Sequence, residues 1–348
     1  MKQHLFKLCL PALGLFAVAA MPSGAAAAPA AAKAEATVPV NVDSFVRAET
    51  DRYFKKRFEQ GAFGKLHHER GPVDVDKQLV IRMNRDTPYS TGVFDLSQAL
   101  TIVKPEIGGR FQSMLVINQD HYIQRAIYEP GTYTFTEKEM GTRYVQITFR
   151  TLVDPNNPAD IAEMRKAQDA IQVIQSSPGS FEVPNWDQKS LTGLRKAILG
   201  LTPWMPDSHR TFGKKEETDD VRHLIGTAGG IFGNAEKDAF YKVEVPEQND
   251  GKTAMRLTVK DVPVDAFWSI TIYNKNGFYE APVSASSLNS LTAKRGADGS
   301  VTVNFGGDPK ADNYLRIMPG WNYTVRMYRP RAEILDGRWV FPKPHIVR

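Results

Sequence analysis

The spacing of apolar residues changes period three times along the chain. In VDSFVRAETDRYFKKRFEQG, residues 42–61, Phe45, Tyr53, Phe54 and Phe58 recur at helical spacing and Gly61 closes the run. That pattern predicts an amphipathic helix. From Leu79 to Arg150 the period shortens. The runs LVIRM, GVFDL, FQSMLVIN, RAIYE, YTFT and YVQITFR are rich in Val, Ile, Phe, Tyr and Thr, and Gly, Pro, Asn and Asp separate them. They predict β-strands joined by tight turns. FQSMLVIN is apolar on both alternating faces, as a strand buried inside a sheet must be.

At Pro155 the helical period returns. NNPADIAEMRKAQDAIQVIQ has Asn157 placed as an N-cap, Pro158 in the first turn, and a stripe of Ile161, Met164, Ala167, Ile171 and Ile174. Further helices are predicted at SLTGLRKAILGL and DDVRHLIGTA, and GTAGGIFGN closes this stretch. From Phe240 the strand pattern resumes in FYKVEV, AMRLTV, AFWSITIY, SVTVNF, YLRIM and NYTVRMY. Turn dipeptides Asp250-Gly251, Asn276-Gly277, Asp298-Gly299 and Asp336-Gly337 punctuate it. The expected fold is mainly β with a helical insertion, α+β as a whole. Its parts are a β-rich domain over 43–155, a helical connection over 156–235, and a jelly-roll-like β-sandwich over 236–348.

The N-terminus changes the picture of compartment. Lys2 and Lys7, the apolar stretch Leu8–Met21 and a run of alanines follow the layout of a secretory signal peptide over 1–28, with a flexible Ala/Pro segment over 29–42. The apolar stretch is shorter than the roughly 20 residues that span a bilayer. No later segment of the sequence is longer or more apolar, so the expectation is a soluble periplasmic or secreted protein without a membrane span after cleavage. Cys9 is the single cysteine and would leave with the signal. Disulfides, thiol nucleophiles and thiolate metal sites are then excluded. Loss of Lys2 and Lys7 lowers the net charge from +5 to +3, and the remaining charges of both signs are scattered, with no nucleic-acid footprint.

Candidate chemistry concentrates in two places. NRDTPYS, residues 84–90, places Asp86 and Tyr89 beside an amide and a guanidinium. NQDHY, residues 118–122, places Asp120 and His121 at the end of the apolar strand. Carboxylate, imidazole and phenol cover the protonation range that general acid–base catalysis needs. A plainer role is also open to NRDTPYS: Asn84 and Asp86 accept backbone N–H groups in a turn, with Arg85 paired to Asp86 or facing solvent. Alternation sends Asp120 and His121 to opposite faces, so they make a poor direct dyad.

Other motifs are weaker. His67-His68-Glu69 lacks metal-ligand spacing, and DPKADN lacks the geometry of a calcium loop. GTAGGIFGN lacks the Lys-Ser/Thr of a phosphate loop. It reads as a close-packed connection whose glycines permit positive φ. GxSxG and SxxK are absent. Trp268, Tyr273, Trp321, Tyr323 and Tyr328 alternate along strands as core residues do. No cofactor and no metal is expected.

NRDTPYSTGVFDL, GGRFQSMLVINQDHY and EPGTYTF together resemble the bacterial domain of unknown function DUF1254. HLIGTAGGIFGN, NDGKTAMRLTVKDVPVDAFWSITIYNKNGFY, ADGSVTVNFGG and MPGWNYTVRMYRPRAEILDGRW resemble DUF1214, its usual partner. Members more often carry Leu or Ile at Pro88, and an amide or apolar residue at Arg85. The resemblance implies an exported bacterial protein with two largely β domains, and it implies no reaction. Two functions follow as expectations. One is a ligand-binding or envelope-associated protein, its partner a small molecule or a cell-envelope component. The other is a hydrolase-like enzyme with its site between the β domains.

Overall fold

Apolar runs become interior strands where both of their faces find cover, and the fold is an arrangement of such covers. The computed structural model describes residues 36–78 and 81–347. The expected signal peptide and Cys9 lie outside them, as do Leu79 and Val80. Residues 37–348 form one compact unit. Its helices are α1 (Phe45–Glu59), α2 (Glu137–Met140), α3 (Pro158–Asp169), α4 (Gln188–Leu199), α5 (Asp220–Gly229) and α6 (Ala332–Leu335). The fold is mostly β, in agreement with the sequence pattern.

The first half carries β1 (His67–His68), β2 (Tyr89–Asp95), β3 (Leu100–Lys104), β4 (Gln112–Asn118), β5 (Ile123–Ile127), β6 (Gly131–Phe135), β7 (Tyr144–Thr151) and β8 (Gln172–Ile174). A five-stranded antiparallel sheet runs β1-β2-β7-β4-β5, and a three-stranded sheet runs β6-β3-β8. Met114, Val116, Ile147 and Phe149 of the larger sheet meet Leu100, Ile102 and Phe135 of the smaller in one core. The opposite faces of β4 and β2 carry Leu115, Ile117 and Val93, which pack under Ala235 and under Phe54 of α1. Covered on both sides, every residue of β4 and β7 is buried. Helices α1, α4 and α5 close around Phe45, Leu191, Ile198 and Ile225. Within the expected flexible segment, Val38 pairs with the chain at Trp186, and Val40 N–H donates to Ser190 Oγ at 3.0 Å.

Asn157 caps α3 as expected, its Oδ1 accepting from Ala159 N at 3.0 Å. The helix stops at Asp169, however, two residues short of Ile171. Ile171 turns into the core between the sheets, and Gln172–Ile174 pairs with β3 in the register Ile102↔Val173, leaving Ile174 53% exposed. The stripe was continuous in sequence, but β-branched residues beside an open sheet edge gain more by pairing than by another helical turn. LVIRM also departs from its pattern. Ile81 and Arg82 form a turn, with Arg82 at φ +56° and its N–H donating to Gly277 O at 2.8 Å.

The second half carries β9 (Ala239–Glu244), β10 (Met255–Val259), β11 (Trp268–Tyr273), β12 (Ser287–Asn289), β13 (Val301–Phe305), β14 (Tyr314–Leu315), β15 (Asn322–Tyr328) and β16 (His345–Ile346). Two four-stranded sheets, β14-β13-β10-β16 and β12-β11-β15-β9, share one core. Phe305 stacks on Trp321 at 5.3 Å and lies 5.4 Å from Tyr323 of the facing sheet. The five aromatics singled out in the sequence are all buried. The turn glycines take positive φ; at Gly251, φ is +76° and a Cβ would meet Met318 C at 2.4 Å.

Phe305→Ala should remove the ring that joins the two sheets and cost about 3–5 kcal/mol. Denaturant unfolding monitored by circular dichroism measures it, and a loss below about 1 kcal/mol would contradict a tightly packed core.

Candidate functional site

A sheet with one apolar and one polar face ordinarily shows the polar face to water. The register of β11 and β15 sends Trp268, Ile270, Ile272, Tyr323, Val325 and Met327 into the sandwich core. The alternate positions, Ser269, Thr271, Tyr273, Asn322, Thr324, Arg326 and Tyr328, are polar, and they too are buried. NRDTPYS and the turn before it cover them. Arg326 Nη1 donates to Thr271 Oγ1 at 3.0 Å, while Nη2 donates to Arg82 O at 2.8 Å and Tyr273 Oη at 2.7 Å. Tyr273 in turn donates to Met83 O at 2.9 Å.

Within NRDTPYS, Asn84 builds the turn as expected, Oδ1 accepting from Asp86 N–H at 2.6 Å. Its Nδ2 donates to Thr87 Oγ1 at 2.6 Å and across the seam to Tyr328 Oη at 2.9 Å. Asp86 is wholly buried and reaches out of the turn, Oδ1 accepting from Asn289 Nδ2 at 3.2 Å. Its Oδ2 has no hydrogen bond of good geometry, nor has Ser269 Oγ. Burial pushes the Asp86 carboxyl up from its ordinary value, against the opposing pull of Ser269, Arg326, Asn289 and Arg85. Arg85 neither pairs with Asp86 nor faces solvent. It is buried, donates to Val283 O and lies over the Tyr279 ring. A guanidinium buried without a carboxylate takes backbone carbonyls and ring faces as acceptors.

Tyr89 faces Arg150 across β2 and β7, with the guanidinium 5.1 Å from its ring centre. Arg150 Nη2 donates to Phe232 O at 3.2 Å. The Phe232 N–H donates to His121 Nε2 at 2.8 Å. Nε2 thus accepts, so the neutral ring carries its proton on Nδ1, which donates to Thr227 Oγ1 at 2.9 Å; the Thr227 hydroxyl donates in turn to His223 O at 2.8 Å. Both ring nitrogens of His121 are committed. Asp120 is half-exposed and pairs with Arg47 at 2.6 Å. Asp86 and His121 therefore share no partner. The Phe232 peptide links Tyr89, through Arg150, to His121.

GTAGGIFGN achieves that link by close approach. Its positive φ lies at Phe232, +60°, and not at the glycines. A Cβ on Gly233 would meet Phe212 Cε2 at 2.6 Å, and one on Gly226 would meet Thr211 Cγ2 at 2.3 Å. Among the described residues no group of three His, Cys, Asp or Glu side chains could hold a metal ion.

A cleft of about 380 Å³ opens elsewhere along the seam, lined from the first half by Lys104, Arg110, Phe111 and Tyr128 and from the second by Phe267 and Arg329. Arg110 is held by Asp160 at 2.5 Å and Leu152 O at 2.7 Å. Arg329 lies 4.7 Å over the Tyr128 ring. Lys104 is 3% exposed, and its ammonium has no hydrogen bond or ion pair among the described residues; Glu106 and Glu129 act on it only at longer range. Burial pulls its ammonium below the ordinary lysine value. Sequence reasoning passed over this residue. The signal was present in LTIVK, where Leu100, Ile102 and Lys104 share the inward face of β3.

The fold and seam define a mainly β protein whose two halves meet through buried polar side chains. Residues 63–175 match the family described as Protein of unknown function (DUF1254). Residues 242–332 match Protein of unknown function (DUF1214), so the chain carries the two in tandem. The VPA0106 protein from Vibrio parahaemolyticus shares the fold at 16% identity, with 89% of this chain and all of that one covered and a TM-score of 0.68. An uncharacterized protein from Burkholderia cenocepacia is similar at 12% identity over 88% of each chain, TM-score 0.51. No curated protein matches this chain.

Burial holds His121 well below its ordinary 6.5, with His223 adding repulsion. The unfolded chain therefore binds a proton that the folded one refuses. Stability is full above pH 6.5 and falls as pH drops below it, approaching about 1.4 kcal/mol per pH unit for each such histidine. His223, also shifted down, shares the effect. His121→Asn, which tolerates the residue's φ of +62°, should remove one histidine's part of that slope. Urea unfolding across this range tests it, and an unchanged slope would mean that the fold accepts a proton at His121.

Proposed function

We propose that this is an exported protein that binds a small carboxylate-bearing molecule with an apolar body in the cleft along the seam. The observation that carries the reading is Lys104, a residue 3% exposed whose ammonium has no hydrogen-bond or ion-pair partner among the described residues, lining a cavity of about 380 Å³. Ligand sites of this size pair an apolar lining with a few convergent polar groups. Phe111, Tyr128 and Phe267 supply the apolar wall, and the charged lining is mixed, with Lys104, Arg110 and Arg329 beside Glu106, Glu129 and Asp265. Arg110 is held by Asp160 and Arg329 lies on the Tyr128 ring, which leaves Lys104 as the cation open to a ligand carboxylate. A bound carboxylate relieves the desolvation that depresses the lysine, because a charge out of water is stabilised by a paired opposite charge.

Binding is supported over hydrolysis because none of Asp86, Tyr89, Asp120 and His121 lines this cleft. Asp86 and His121 are held in separate hydrogen-bond networks. Export is supported by the basic, apolar and small-residue order of the first 28 residues. Among the described residues no helix is long and apolar enough to cross a membrane. Release of a shortened chain into the periplasmic or culture fraction is the expected result of fractionation.

Calorimetric titration with aromatic and aliphatic monocarboxylates, against their amides, tests the site. The acids should bind and the amides should not. Lys104→Met should weaken binding about tenfold to a hundredfold, the range of a hydrogen bond to a charged group. Affinity should fall as pH rises toward the depressed lysine value and the ammonium is lost. Equal binding by Lys104→Met would reject the cleft as the site.

A further inference from the structure

A strand at the edge of a sheet carries one row of backbone N–H and C=O groups with no neighbour to pair with. β9 is such a strand, at the end of the order β12-β11-β15-β9. The register fixes which residues form its open row. The Tyr328 N–H donates to Phe267 O at 2.9 Å, so Tyr328 and every second residue back along β15 turn their backbone groups to β11. Met327, Val325 and Tyr323 therefore turn theirs to β9, where they face Phe240, Lys242 and Glu244. Tyr241 and Val243, with Val245 next in the alternation, point their N–H and C=O away from the sheet. No turn or loop among the described residues hydrogen-bonds to those groups. The row ends at Ala239, whose N–H donates to Ala235 O at 3.0 Å.

Edge strands are ordinarily kept apart by lysines and prolines. Here Lys242 is paired with Glu244 at 2.9 Å, and Lys343 lies 3.6 Å from the same carboxylate. Pro246 falls on the alternation that faces β15, so its missing N–H leaves the open row intact. The side chains that go with the row are largely apolar and reach water: Tyr241 is 37%, Val243 47% and Val245 63% exposed.

We propose that β9 pairs antiparallel with β9 of a second copy of this chain, about a two-fold axis at Val243. In that register Val243 meets its own copy and Tyr241 meets Val245, each pair exchanging N–H and C=O, and the exposed side chains cover one another on one face. On the other face Lys242 lies opposite Glu244 in both directions, at the close non-hydrogen-bonded positions where opposite charges attract. An axis at Lys242 or at Glu244 would set like charges opposite each other. An axis at Tyr241 would set Val243 against Ala239, whose N–H is taken, and Glu244 opposite Asp238. The charges thus select one register.

Sedimentation equilibrium of the purified chain from about 1 μM to 500 μM should show a reversible monomer–dimer equilibrium, in the range of weak interfaces. Lys242→Glu sets two carboxylates opposite each other at both symmetric positions and should raise the dimer Kd at least about tenfold. Lys242→Glu combined with Glu244→Lys restores opposite charges and should bring Kd back to within about threefold of the original. Val243→Pro removes an N–H of the open row and none that faces β15, so it should keep the fold and abolish the dimer. The proposal is overturned if the chain stays monomeric, if Lys242→Glu leaves Kd unchanged, or if the double variant does not recover it. Should Lys242→Glu fail to fold, a dimer that persists in Val243→Pro overturns it.

Discussion

Arg326 is a guanidinium on the outer face of a β-sandwich sheet, and the fold buries it. A charge taken from water must be given hydrogen-bond acceptors in fixed positions, or the burial costs several kcal/mol. Here the acceptors are Thr271, Tyr273 and the Arg82 carbonyl, with Asp86 acting electrostatically nearby. Two of those positions belong to the segment that ends in NRDTPYS. The first half of the chain is therefore not merely adjacent to the second. It completes a polar face that would otherwise lie open to water, and the seam between the halves is hydrogen-bonded where most cores are apolar.

That arrangement gives NRDTPYS its composition. Asn84 holds the turn and also reaches Tyr328. Asp86 accepts from Asn289, and Arg85 reaches Val283. These three are each directed at a different point of the second half, while Thr87, Tyr89 and Ser90 meet Asn84, Arg150 and His68 of the first. Polar networks of this kind specify one arrangement, because a shifted register would leave several buried groups unpaired at once. Apolar contact supplies adhesion beside it: Phe267 and Tyr328 stack at 4.2 Å, with Phe111 against both.

The helical face works on another principle. His121, with φ +62°, lies in the turn that follows the apolar strand β4 and is immobilised by Thr227 and the Phe232 peptide. Phe232, itself at positive φ, is held from the other side by Arg150. A strained backbone position of this sort persists only where its surroundings over-determine it. The glycines around it let Phe212 come within contact distance, which is a packing requirement and not a conformational one.

Much of the fold was legible in the order of residues. Alternation and turn dipeptides marked the strands of both halves, Asn157-Pro158 marked the start of α3, and the double-sided apolarity of FQSMLVIN marked an interior strand. These are local signals, each set by sterics or solvation within a few residues. The end of α3 was not legible, since the Ile171–Ile174 stripe fits a helix and an edge strand equally well until β3 lies beside it. Nor was the fate of the polar face of β11 and β15. Alternation says which side chains leave a core, and only the tertiary structure says what they meet. Here they met NRDTPYS, which turned Asp86 and Arg326 from surface charges into buried ones. Lys104 is the same case from the other direction. The sequence placed it on the inward face of a strand, and the meeting of the two halves made that face the wall of a cleft.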